Sequence, residues 1–414
     1  MEIAIVIFFV GLLVFLAHLF SALFERIRIP DVLPLVFIGL LIGPILGFVT
    51  TDAFGKVGNV FTIIALILIL FEGGLYLNFS TLRESMLSGT RLTIINFVGT
   101  VVVIMLISIS IFDISVLEGL ILGAILGGTS SVIVIPLVNK LRLQNGSKTA
   151  LLLESTFSDV LCIVVTLAFI QAFKYHELRW GFMFGQIIAS FFLAGIIGAL
   201  FAFLWSSTLN RVRQLENSIF LTPAFVFIIF GITELLGYSG AISALTFGIT
   251  LGNIQSLQIS ILKKLDYFHP IKLNETEKAF FAEVAFLIKT FFFVYIGLSI
   301  RLSNIIIILA GVGLTLVIFA IRIPIVRLAM NKTVTRFDAS IASVIVPKGL
   351  AAAVLAYLPL EAGVGSGIFI QDVVYSVIIF SIIATAILTF LIDKNILHWP
   401  YLSVFSEYAT EKSA

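Results

Sequence analysis

Long apolar runs recur along this chain, divided by short segments that carry charge, Gly, Pro or Asn. Thirteen runs stand out, at approximately 3–23, 31–49, 60–77, 92–111, 117–138, 149–173, 182–208, 218–236, 239–257, 279–300, 304–329, 338–358 and 370–396. Most approach the roughly 20 residues that an α-helix needs to cross a bilayer. They are uniformly apolar where a β-barrel strand alternates, so the pattern predicts helices. The ninth run is short, and the fifth and twelfth are interrupted inside. No basic segment precedes the first run, where Glu2 stands instead, so a retained helix is expected there in place of a signal peptide.

The charges that punctuate the runs fall on alternating sides. One side collects Arg26, Arg28, Arg83, Arg91, Lys140, Arg142, Lys148, Arg211, Arg213, Lys263, Lys264, Lys272, Lys278, Arg327, Lys332, Arg336, Lys394 and Lys412. The other collects Lys56, Lys174, Arg179 and Arg301. Basic residues concentrate in cytoplasmic loops, and a wrong span count would scramble an 18-to-4 division. The N-terminus is therefore expected outside and the C-terminus in the cytoplasm. Only a short tail, 397–414, follows the last run, so no attached cytosolic nucleotide-binding domain is expected.

Composition agrees with a lipid solvent. Of 414 residues, 60% are hydrophobic and 12% are charged, against about a quarter charged in a soluble domain. The near balance of 25 basic and 23 acidic residues implies no nucleic-acid partner. A single cysteine, Cys162, excludes a disulfide framework, a Cys-based zinc site and an iron–sulfur cluster, and four scattered histidines argue against a metal cage. No cofactor is expected.

What remains is a small set of charges inside the spans: Lys289, Arg322 and Lys348, with Glu72, Glu154, Asp159 and Glu234. A charge at mid-bilayer costs about 2.5–3.5 kcal/mol on insertion scales and usually marks function. The plainer alternative is structural pairing. In the sixth span, helical spacing sets Ser155 and Asp159 on one face with Ser158 adjacent. Two hydroxyls beside one carboxylate suit a partly dehydrated alkali cation. Glu154 faces another way, and Arg322 is its natural partner, since a guanidinium fork binds a carboxylate in two places. Glu72 is either a residue of a cytoplasmic funnel or a snorkelling boundary residue. Lys289 snorkels or pairs with an acid, Glu234 fits a boundary role, and His18 fits an interhelical contact better than a proton relay.

The interruptions are Gly127-Gly128-Thr129-Ser130-Ser131, followed by Pro136, and Pro347-Lys348-Gly349. Each sits in the fifth member of a six-span half, if spans 1–6 and 8–13 form halves of opposite orientation joined by the seventh. Paired interruptions of this kind point to a transporter's binding site.

In these residues the chain resembles the monovalent cation:proton antiporter superfamily, which includes sodium/proton exchangers and Kef-type potassium/proton antiporters. The resemblance spans nearly the whole chain. It rests on Phe71-Glu72-Gly73-Gly74-Leu75, Gly128-Thr129-Ser130-Ser131, Glu154-Ser155 with Ser158-Asp159, Phe292-Phe293-Val294-Tyr295-Ile296-Gly297-Leu298, Arg322 and Pro347-Lys348-Gly349. It implies an all-α polytopic membrane protein of thirteen helices, with two inverted repeats and crossed discontinuous helices in spans 5 and 12. It also implies a homodimer, built through a scaffold of spans 1–3 (1–77) and 8–10 (218–300). A mobile core would comprise spans 4–6 (92–173) and 11–13 (304–396), with 182–208 as linker. Two departures stand out. Ser158-Asp159 replaces the acidic pair or Asn-Asp of many members, and Ser130 follows Thr129 where one branch carries Asp. The fifth span is thus similar to the potassium-efflux branch, while Glu154 with Arg322 is similar to the sodium/proton branch.

The expected activity is exchange of Na⁺ or K⁺ for H⁺, electroneutral at 1:1, in the cell membrane of a prokaryote. Asp159 would hold either proton or cation, with Ser155, Ser158, Thr129 and Ser130 around it, and Lys348 offsetting the half-helix ends. The alternative is a sodium-coupled symporter of a small organic anion on a related crossed-helix fold. That would call for a larger polar cavity, with basic or aromatic side chains near the breaks. A channel lacks its filter repeat or acidic ring, and no catalytic triad or intramembrane His pair suggests an enzyme. A separate regulatory subunit is left open.

Overall fold

The computed structural model describes residues 8, 11–20, 22, 32–48, 55–76, 79–175, 180–214, 218–255, 273–300, 304–394, 396 and 403–409. Part of the first expected span lies outside these residues, as do the loop positions Arg26, Arg28, Arg179, Lys263, Lys264, Lys272, Arg301 and Lys412.

The described chain is helical. In order it contains α1 (Gly11–Phe20), α2 (Val32–Leu40, running into a π-helical turn Leu41–Ile45), α3 (Gly55–Tyr76), α4 (Phe79–Phe112), α5 (Val116–Leu126), α6 (Ser131–Lys140), α7 (Asn145–Tyr175) and α8 (Trp180–Val212). There follow α9 (Leu221–Leu235), α10 (Gly240–Gly252), α11 (Glu275–Leu298), α12 (Ile305–Ala329), α13 (Arg336–Val344), α14 (Leu350–Leu355), α15 (Leu358–Glu361) and α16 (Gly367–Asp393). Among the described residues, eight segments are long and apolar enough to cross a membrane; one of them, Val116–Lys140, contains both α5 and α6. Shorter apolar helices accompany them at Gly11–Phe20, Val32–Ile45, Ile63–Leu75, Gly240–Gly252 and Leu350–Glu361. Several residues read as loop from their charge lie within helices. Arg91 sits inside α4, which starts more than ten residues before the apolar run, since no proline interrupts 79–91 and the single Gly89 costs only about 1 kcal/mol in a helix.

The helix starts have local causes. Ser115 and Glu118 form a reciprocal capping box at α5, while Ser239, Asn304 and Thr335 cap α10, α12 and α13 with side-chain oxygens. The outward faces are apolar: Ile94, Val98, Val102 and Leu106 on α4 and Ile305, Ile306, Leu309 and Leu316 on α12 are all exposed. Such stripes suit lipid, whereas water would make them a liability.

The chain divides into two compact units. The first comprises Met1–Gly55, Ser85–Tyr175 and Thr290–Ala414, and the second Lys56–Glu84 and His176–Lys289. In the first, α12 packs on α16, α5 and α6 pack on α7, and a core forms around Leu92, Val134, Leu151, Val326, Ile341 and Phe405. In the second, α10 packs on α8 and α9, and the core includes Phe71, Trp205, Val226 and Phe247.

Candidate ion site

Both interruptions fall where the sequence puts Gly and Pro, and each has a backbone reason. After Leu126 the chain leaves the helix at Gly127-Gly128, and Ser130 adopts an extended conformation (φ −63°, ψ 115°) before α6 begins at Ser131. After Val344 the segment 345–349 is non-helical. Pro347 offers no N–H to continue α13 and disfavours helix at Val346.

The two interruptions touch. Ser130 N–H donates to Pro347 O at 2.8 Å, and the Lys348 ammonium donates to Gly128 O at 2.6 Å. Lys348 is buried, and its charge lies against a carbonyl at the C-terminal end of α5, where partial negative charge collects. Its own N–H donates to Ser381 Oγ on α16 at 2.9 Å. Contact is close enough that no side chain fits at two glycines. A Cβ on Gly128 would lie 2.5 Å from Cys162 Sγ, and one on Gly349 would lie 2.1 Å from Ser130 Oγ.

Asp159 lies on α7 beside this junction and is half-buried. Ser131, the first residue of α6, donates to its Oδ2 twice, from Oγ at 2.6 Å and from the backbone N–H at 3.3 Å. Thr129 N–H donates to Ser158 Oγ at 2.9 Å, and that hydroxyl in turn reaches Ser155 O at 3.2 Å. Ser155 Oγ donates to Leu152 O at 3.0 Å. So of the hydroxyls expected around Asp159, Ser155 and Ser158 are bonded to backbone, and Ser130 is packed against Gly349. The Thr129 hydroxyl is buried and has no hydrogen-bond partner among the described residues.

One turn from Asp159, Glu154 meets Arg322 of α12. Both are fully buried; Arg322 NH1 donates to Oε1, NH2 donates to Oε2 at 2.6 Å, and Nε donates to Ala342 O of α13 at 3.0 Å. One guanidinium thus ties α12 to both α7 and α13. In the second unit, Lys289 pairs with Glu72 at 3.2 Å. Glu234 accepts from Gly240 N–H at 2.7 Å at the start of α10, and His18 Nδ1 lies 2.9 Å from Val14 O in its own helix.

Two participants were not singled out by the sequence, Ser381 under Lys348 and Cys162 behind Gly128, and Ser131 was read as part of the unwound helix but not as the bonding partner of Asp159. Ser131 carried a usable signal, because the first residue of a half-helix has a free N–H pointing outward. Cys162 lies three residues from Asp159, on the same helix face.

The architecture has solved counterparts. The sodium proton antiporter MjNhaP1 of Methanocaldococcus jannaschii superposes with a TM-score of 0.76 at 22% identity, over 94% of this chain and 100% of that one. Residues 11–394 match the family described as sodium/hydrogen exchanger, transmembrane. The chain belongs to that family. Among curated relatives, the Na⁺/H⁺ antiporter 1 of M. jannaschii is 25% identical over 316 residues, covering 73% of this chain and 70% of that protein. The Na⁺/H⁺-K⁺ antiporter GerN of Bacillus cereus is 26% identical over 403 residues, 92% of this chain and 93% of that one. The K⁺/H⁺ antiporter NhaP2 of Shewanella baltica is 28% identical over 255 residues, 59% of this exchanger-family chain and 43% of that protein.

Proposed function

We propose that this chain is a secondary antiporter exchanging a monovalent cation, Na⁺ or K⁺, for H⁺, with the Asp159 carboxylate as the shared site. The observation that carries the reading is one half-buried carboxylate beside the contact of two interrupted helices, with an unpartnered buried hydroxyl, Thr129, close by. Family membership and the names of the relatives, which are Na⁺/H⁺ and K⁺/H⁺ antiporters, support exchange as the activity.

A bare carboxylate in low dielectric is unfavourable, whereas a protonated or cation-bound one is not. Proton and cation therefore compete for Asp159, and the competition couples their fluxes. Backbone oxygens at the breaks, with the Thr129 hydroxyl, supply neutral ligands, and Ser155, Ser158 and Ser130 stand within the same segments. Lys348 offsets the carbonyl end of α5. Glu154 and Arg322 hold the helices in place, and Glu72 is the candidate funnel residue, its carboxylate neutralised by Lys289.

In this reading the chain has thirteen spans, with crossed half-helices at 117–138 and 338–358. The mobile core is 92–173 with 304–396, the scaffold is 1–77 with 218–300, and two copies assemble through the scaffold. The N-terminus lies outside, and movement of the core gives alternating access. The symporter alternative is not favoured: the one basic side chain at the breaks, Lys348, is buried against Gly128 O and is not turned toward an anion.

The test is dye-reported pH change in proteoliposomes on addition of Na⁺, K⁺ or Li⁺. Exchange is expected for the native chain and background signal for Asp159→Asn with intact assembly. Exchange retained in Asp159→Asn would sink the proposal.

A further inference from the structure

Asp159 has two oxygens, and the described residues bond to only one. Both hydrogen bonds from Ser131 end on Oδ2, and among the described residues Oδ1 accepts none. The Ser131 grip is geometrically fixed, because the hydroxyl and the N–H belong to the first residue of a half-helix. Among the described residues nothing else competes for the carboxylate: Lys348 donates to Gly128 O, and Ser155 and Ser158 are bonded to backbone. Both Asp159 and Ser131 are half-buried, so an ion can reach them.

How a carboxylate is offered matters to an ion. Small, tightly coordinating cations take one oxygen per carboxylate in near-ideal geometry, while larger ones accept both oxygens of a single group in looser shells. We propose that Ser131 is a selectivity residue: by holding Oδ2 it presents Asp159 as a one-oxygen ligand, which favours Na⁺ over the larger K⁺. The inference rests on Asp159 as the ion site and adds the preferred ion and the residue that sets it. Thr129 fits the same picture, since its unpartnered buried hydroxyl is a second single-oxygen ligand on the adjacent break.

The experiment compares apparent KM for Na⁺ and for K⁺ at one pH, using the full chain in proteoliposomes. The native protein is expected to have the lower KM for Na⁺. Ser131→Ala removes the 2.6 Å hydroxyl bond and leaves Oδ2 only the longer backbone N–H contact at 3.3 Å, so KM(K⁺)/KM(Na⁺) should fall by about fivefold, the scale of one net hydrogen bond. Ser131→Thr restores the donor and should keep the native ratio. Ser131→Cys, nearly isosteric and a weak donor, should shift like Ala and serves if the Ala protein does not assemble. A purely structural role would change both KM values or the turnover together and leave the ratio alone. A native preference for K⁺, or a ratio within about twofold of native in both Ala and Cys variants, overturns the inference. Asp159→Asn separates the two claims: if it still exchanges, the ion site itself is wrong, whereas an inactive Asp159→Asn beside an unmoved Ser131→Ala ratio rejects selectivity alone.

Discussion

Arg322 and Glu154 carry a large energetic stake for single residues. Both are fully buried, and each is the other's counter-charge. Taking two charges out of water is costly, so such a pair adds little net stability, yet removing one partner strands the other. Arg322→Ala and Glu154→Gln should each destabilise by about 3–5 kcal/mol in thermal or denaturant unfolding in detergent. The double change Glu154→Met with Arg322→Leu should cost less than the sum of the singles, because no lone charge is left. Strict additivity would show that the two side chains do not depend on each other. Charge type made this pair legible in the sequence: an acid and an arginine inside spans have few ways to be neutralised. Ser131 was less legible, because hydroxyls are common in membrane helices and only the backbone path shows which one faces Asp159.

At the scale of elements, the interruptions were readable because Gly and Pro act on the backbone directly, whatever the tertiary context. Other close approaches depend on what lies opposite, which spacing alone does not reveal. In the second unit α10 meets α3 through glycine: a Cβ on Gly248 would lie 2.3 Å from Phe71 O, and one on Gly74 would lie 2.5 Å from Leu245 O. Backbone cannot yield as a side chain can, so Gly248→Ala should destabilise by about 1–3 kcal/mol, and unfolding midpoints check this. The tail is a further element whose docking the sequence did not predict. Phe405 and Tyr408 are buried on the first unit's core, Tyr408 Oη contacts the Val326 carbonyl at 3.2 Å, and Arg336 donates to Ser406 O at 2.8 Å. Glu407 bonds to Lys332 and lies near Arg327, which together hold its carboxyl below the ordinary value of 4.5. A lowered carboxylate contributes attachment above its unfolded value and loses it as pH falls through the lowered one. Salt screens so exposed a contact. Limited proteolysis at residues 396–409 should therefore rise modestly in strong acid or high salt, and rise more in Arg336→Ala at neutral pH. Protection unchanged in Arg336→Ala would refute this docking.

Over the whole molecule, charge balance decides how transport responds to voltage. Each elementary charge moved across a membrane is worth about 2.3 kcal/mol per 100 mV, so an exchanger that moves net charge is strongly biased by potential. Glu154 is locked by Arg322, and Glu72 is paired with Lys289. Lys348 is bonded to a carbonyl. That leaves Asp159 as the carboxylate in the candidate site without a cationic partner among the described residues. In the mechanism proposed above, one carboxylate carries one cation or one proton, and each half-cycle then moves the same net charge in opposite directions. The expected outcome is electroneutral 1:1 exchange, with rates in proteoliposomes unchanged when a potential is imposed at fixed pH gradient. Rates that rise or fall with potential would mean that a second group changes protonation in the cycle, and Lys348, buried at the same junction, would be the first residue to substitute.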